Sequence, residues 1–153
     1  MEIVQEALRQ VVDGDDFTAP SRLLADITPE QAASTIGGSI VSIASIVWHT
    51  LFWVDAWNAG VGGDISRLKW IPNDETWPEV TADEWPALRD RFIAALGKSQ
   101  QLAAMVSPDA PGMPDGRTAV QNLLQTAVHT SYHLGQIALI RRNAGIWPPK
   151  DGE

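Results

Sequence analysis

Between Thr118 and Gly145 the chain reads as one long helix whose apolar residues leave only a narrow polar stripe. Leu123, Leu124, Ala127, Val128, Leu134, Ala138 and Leu139 cover most of its circumference. A helix of that kind is buried on several sides, so the rest of the chain has to pack around it. Its ends are marked. Thr118 and Gln121 have the spacing of a capping box, and Gly145 is a stop. Arg141 and Arg142 fall in the last turn, where cations favour the negative end of the dipole. The helix is predicted to run to about Asn143.

The other segments supply its neighbours. Glu2 to Val12 reads as a first helix, with Ile3, Val4, Ala7, Leu8, Val11 and Val12 as its apolar stripe and Gly14 after its end. Asp13 to Pro20 is turn-rich. Thr28-Pro29-Glu30-Gln31 opens a short helix that Gly37-Gly38 interrupts. Ser39 is expected to cap a second long helix reaching about Asn58, stopped by Gly60, Gly62 and Gly63. The apolar stretch from Ile36 to Val54 is interrupted by Gly37, Gly38, Ser39, Ser42, Ser45, His49 and Thr50. It suits a buried bundle helix rather than a membrane span. Asp64 to Val80 reads as a loop with Pro72 and Pro78, pinned by Trp70 and Trp77. Thr81 and Glu84 open a third long helix to about Val106, with Pro86 tolerated near its start. Ser107 to Asp115 is a connector rich in proline, and Trp147-Pro148-Pro149 is a tail. No run alternates with period two. The expectation is one all-α domain over residues 1–153, a bundle of four main helices plus one short helix.

The count of 11 Lys+Arg against 19 Asp+Glu gives a formal charge of -8. That argues against a nucleic-acid partner and against an anionic membrane surface. There are no cysteines, hence no disulfide and no sulfur ligand, which fits a reducing cytoplasm. The opening MEIVQEALRQ carries early acids and no long apolar run, so no signal peptide is expected there.

Three histidines remain. His129 and His133 are four residues apart, roughly 40° around the helix, so both project from one face. Asn122, Gln125 and Gln136 lie on the same stripe, flanked by Tyr132. On the second long helix, His49 shares its face with Ser45 and Trp53, whereas Asp55 projects to the far side. An H-x-x-x-H pair alone recurs by chance. Here every histidine of the chain joins one constellation on helices that are otherwise apolar. Three imidazoles suit one divalent transition metal (Zn, Ni, Fe, Co or Mn) with coordination positions left open. Ser45, Asn122, Gln125 and Gln136 are candidates to orient the rings. Thr130 follows His129, so the zinc-protease glutamate is missing, and the inward stripes lack the glutamates of a di-iron bundle. Imidazole must be neutral to ligate, so affinity is expected to fall below about pH 6. Seven tryptophans are expected to pack helix seams, with some of them lining a pocket.

Taken together, SIVWHTLFWVDAW with His49, the connector PGMPDGRTAVQNLL, and AVHTSYHLGQIALIRRNAG with His129, His133 and Gly135-Gln136 resemble the DinB-like (YfiT-like) metalloenzymes over nearly the whole chain. The resemblance implies an up-down-down-up four-helix bundle with a long crossover. It implies a divalent metal on the three matching histidines and a homodimer as a common assembly. It further implies a thiol S-transferase or isomerase using a low-molecular-weight thiol. The electrophilic small-molecule substrate would then lie against Trp53 and Tyr132. A hydrolase using metal-bound hydroxide and a non-catalytic binding bundle are the alternatives.

Overall fold

A computed structural model describes residues 1–64, 71–113 and 115–147. Four long helices dominate it: α1 (Glu2–Asp13), α4 (Ile43–Val61), α5 (Trp85–Met105) and α6 (Ala119–Asn143), with one-turn helices α2 (Pro20–Leu23) and α3 (Pro29–Ala33) between the first two. Short 3-10 turns at Asn73–Thr76 and Ala82–Glu84 lie in the connection from α4 to α5. Among the described residues there is no strand, only one isolated bridge between Pro111 and Thr118. The expected short helix is α3; α2 forms at the end of the stretch read as turn. Trp70, Pro114, Pro148 and Pro149 lie outside the described residues.

Capping chemistry sets the helix starts. Thr28 with Gln31, Thr81 with Glu84 and Thr118 with Gln121 all form reciprocal capping boxes. Ser39 does not cap α4 as expected. Its hydroxyl is engaged with the Val41 backbone, and Ser42 accepts the Ser45 N–H at 3.0 Å as the N-cap. The Ser39 bonds hold a local turn, which moves the cap three residues on, to Ser42.

Side-chain contacts between the helices give their directions. Asp55 meets Arg91, and Asn58 further along α4 meets Ala95 and Ser99 further along α5, so α4 and α5 are parallel. His49 lies beside His129 and His133, while Gly60 near the end of α4 abuts Gly112 and Met113 just before α6, so those two are antiparallel. Gln5 near the start of α1 donates to the Ala103 carbonyl near the end of α5 at 2.8 Å. The result is the up-down-down-up bundle. Parallel neighbours cannot be joined by a tight turn, so the chain after α4 must return along about 28 Å of helix before α5 begins.

The core lies among the four long helices, around Leu8, Ile43, Val47, Phe92, Leu96, Leu123 and Ile137. Asn58 bridges α4 to α5, donating to the Ala95 carbonyl and accepting from the Ser99 hydroxyl, so its buried amide is satisfied. Arg141 is buried rather than serving only the helix dipole. It donates to the Leu23 and Ile146 carbonyls and lies over the Trp147 ring at 4.7 Å, tying α2 and the Ile146–Trp147 segment to α6.

Candidate functional site

α4 and α6 cross so that their histidines face one another inside the bundle. His129 Nε2 is 3.3 Å from His49 Nε2 and 3.1 Å from His133 Nε2. Ligand atoms of all three lie within 4.8 Å of one another. His49 and His133 are buried and His129 is half-buried.

The outer nitrogens decide what the inner ones can do. His133 Nδ1 is 2.7 Å from the Gln136 Oε1, a carbonyl oxygen that can only accept, so Nδ1 carries the proton. Gln136 Nε2 donates to the Tyr132 hydroxyl at 3.2 Å, which orients the amide. His49 Nδ1 is 2.6 Å from the Thr76 hydroxyl. With protons on the outer nitrogens, Nε2 of both rings presents a lone pair to the cluster. Lone pairs aimed at one point repel unless a cation or a shared proton lies between them. Nitrogens held at about 2.0–2.1 Å from one ion are roughly 3.3 Å apart at tetrahedral angles and roughly 2.9 Å apart at right angles. The two separations from His129 Nε2, 3.3 and 3.1 Å, fall in that range, and all three ligand atoms lie within 4.8 Å of one another, so the donor set fits a metal ion. His129 differs from the other two: its Nδ1 is buried without a partner among the described residues.

Electrostatics point the same way. Burial lowers the His49 pKa to about 4, with His133 adding to the effect and the hydrogen bond to Thr76 opposing it. His129 is held at about 3 by burial and then by His133 and His49. His133 is also lowered by burial, against its bond to Gln136. Burial thus favours the neutral form of all three rings, the form that ligates.

Aromatic rings wall the cluster. Trp77 stacks on His49 at 3.8 Å and 11°. Trp57 meets His129 edge to face at 5.2 Å, and Trp53 stacks on Trp57. Tyr132 meets His133 at 5.0 Å. A cleft of about 860 Å³ opens beside His129, bounded by Trp53, Trp57 and Gln125, with Asp115 and Arg117 paired at its rim.

The expected site residues divide accordingly. His49, His129, His133, Tyr132 and Gln136 come together; Trp53 and Gln125 line the cleft. Ser45 gives its backbone N–H to the α4 cap. Asn122 does not join the site. Its amide packs under the connector, where a Cβ on Gly112 would lie 2.5 Å from Nδ2. It shares the angular face of His129 but stands seven residues, about 10 Å, along the axis. The hydroxyls of Thr50 and Thr126 bond carbonyls one turn back and are satisfied locally. Asp55 faces Arg91 in a separate groove between α4 and α5, where burial raises its pKa against Arg91 and Lys98. Thr76 and Trp77 were not anticipated as site residues, and no periodic signal marks them. Trp57 was within reach, since it repeats the His49–Trp53 spacing one turn on.

The DinB family pattern matches residues 15–152. The chain belongs to the DinB family. The match spans α2 to α6 and so includes every histidine of the cluster in this DinB protein. No curated protein and no solved structure matches the chain. Among the described residues, no helix is long and apolar enough to cross a membrane.

Proposed function

We propose that His49, His129 and His133 hold one divalent transition metal and that the loaded protein is a thiol S-transferase acting on small electrophiles. The observation that carries the metal reading is the convergence of three Nε2 atoms, two of them with outer nitrogens tied to Thr76 and Gln136. Zinc, nickel, iron, cobalt and manganese all suit imidazole ligands. An ion held by these three imidazoles would lower the pKa of a bound thiol and so favour the thiolate at neutral pH. The chain's own groups do the rest. Gln136 and Thr76 orient the rings, and Trp53 and Trp57 offer an apolar wall for the electrophile beside His129. In such a transfer the sulfur would bond to the electrophilic carbon, the leaving group would depart with the displaced electron pair, and the thiol proton would pass to solvent. The thiol reading rests on the family resemblance together with the cleft. No carboxylate joins the histidine cluster among the described residues, so a hydrolase would have to work without one.

The same reading places the protein in the cytoplasm, with a small molecule as its partner. It also assigns a second copy to the apolar face of α6, where Leu124, Val128, Tyr132 and Leu139 are exposed. Sedimentation equilibrium tests that assembly.

Elemental analysis of tag-free protein tests the site. Near one equivalent of a transition metal is expected, lost in His129→Ala and His133→Ala while both remain helical by circular dichroism. Unchanged stoichiometry in both variants would remove the assignment. A panel of low-molecular-weight thiols with a chromogenic aryl halide, set beside an ester panel, then separates transferase from hydrolase.

A further inference from the structure

The two proton-bearing rings are held by different means. Gln136 lies on the same helix as its partner His133, three residues away. Thr76 reaches His49 from 27 residues away, out of the 3-10 turn in the crossover between α4 and α5. Thr76 is fully buried, and its hydroxyl proton is engaged by the Asn73 carbonyl at 2.6 Å. A hydroxyl has one proton to give. With that proton on Asn73, the oxygen can only accept from His49, so Nδ1 must be the protonated nitrogen and Nε2 the bare one. Trp77, the next residue, covers the flat of the same ring at 3.8 Å. One turn therefore fixes the tautomer of His49 by its edge and the tilt of the ring by its face.

We propose that Thr76 is a positioning residue for the histidine cluster, locking His49 in the Nδ1–H tautomer and coupling the Asn73–Trp77 turn to the ion the cluster holds. The tautomer half stands on this chain alone; the coupling half rests on the metal reading above. Coupling is reciprocal, so an ion that needs a bare His49 Nε2 also favours the turn that enforces it.

The test compares Thr76→Val, which keeps the shape and removes the hydroxyl, with Thr76→Ser, which keeps the hydroxyl. In EDTA-treated protein, long-range nitrogen–proton NMR of the imidazoles reads the tautomer directly. His49 is expected as Nδ1–H in the parent and in Thr76→Ser, and as a mixture or Nε2–H in Thr76→Val. In zinc titrations against a chromophoric chelator, Thr76→Val is expected to bind about 10- to 100-fold more weakly, and Thr76→Ser to recover most of that loss. If Val disturbs the turn, Thr76→Ala carries the same comparison. A Thr76→Val protein that keeps both the Nδ1–H tautomer and parental zinc affinity overturns the proposal. So does a Thr76→Ser protein as impaired as Thr76→Val. If the parent takes up no zinc, the metal reading and the coupling fall together. The tautomer comparison still decides the positioning role.

Discussion

Acidification distinguishes a buried cluster of imidazoles from three histidines in water. Consider zinc affinity between pH 7.5 and pH 5.0. A ring with the ordinary pKa of 6.5 is mostly protonated at pH 5.0, and the metal must displace that proton. The loss is about 30-fold for each ring, and on the order of 10⁴ for three. In this protein burial and then the neighbouring rings hold His49 at about 4 and His129 at about 3. Both remain neutral at pH 5.0, so together they weaken binding by no more than about 1.2-fold. His133 is lowered by burial, against its bond to Gln136, and so contributes less than its full share of about 30-fold. The expected curve is a loss below about 30-fold down to pH 5.0, then a steep fall below about pH 4. The decline expected from the sequence below about pH 6 thus moves to more acid conditions. The assay is competition with a chelator whose own protonation is known, with circular dichroism at each pH to confirm folding. A loss of about 10³ or more by pH 5.0 would mean solvated rings with ordinary pKa values, and the buried-cluster reasoning fails. Undiminished affinity in folded protein at pH 3 would mean that imidazole is not the ligand.

Folding stability of EDTA-treated protein should respond to the same groups. The folded pKa of His49 and of His129 lies below 6.5, so the unfolded chain binds more protons in acid. Stability is full above about pH 6.5 and falls as pH drops toward 4. By pH 5.0 the loss is at most about 2 kcal/mol for each of His49 and His129, reduced by solvent screening; urea midpoints that stay flat over this interval would contradict it. Gly37 has φ 60, and a Cβ there would collide with the Ile140 carbonyl oxygen, whereas Gly38 has φ 76 with open space around it. Gly37→Ala should therefore cost about 2–4 kcal/mol and Gly38→Ala about 1 kcal/mol, and equal costs in thermal unfolding would refute the close approach. Arg141→Met removes the donors to the Leu23 and Ile146 carbonyls. It should lower stability by about 2–3 kcal/mol, and a neutral urea midpoint would show those carbonyls satisfied otherwise.

What could be read from the residues alone follows the range of the forces involved. Capping boxes are local, joining residues three apart, and all three form as their spacing implies. Where two hydroxyls compete, local reading misplaces the boundary: Ser39 holds a turn with Val41, and the cap passes to Ser42. Periodicity gives the angle of a residue around a helix but not its depth along the bundle. It brings His129 and His133 together and groups Asn122 with them, although Asn122 packs against the connector near Gly112. Thr76 and Trp77 belong to no periodic segment, so nothing in their spacing marks them.

Topology places these two residues. Because α4 and α5 run parallel, the chain must return along the bundle before α5 can start, and its path carries the Asn73–Thr76 turn past His49. Antiparallel neighbours would need only a short loop at the end of α4, about 18 Å along the axis from His49, and no residue would be available to accept from its Nδ1. The crossover therefore does more than connect two helices. It supplies the hydrogen-bond acceptor that leaves the His49 Nε2 free to face His129 and His133, and the indole that keeps the ring from turning. A bundle of the same four helices with short connections could present the same three histidines, yet His49 would have neither of these restraints.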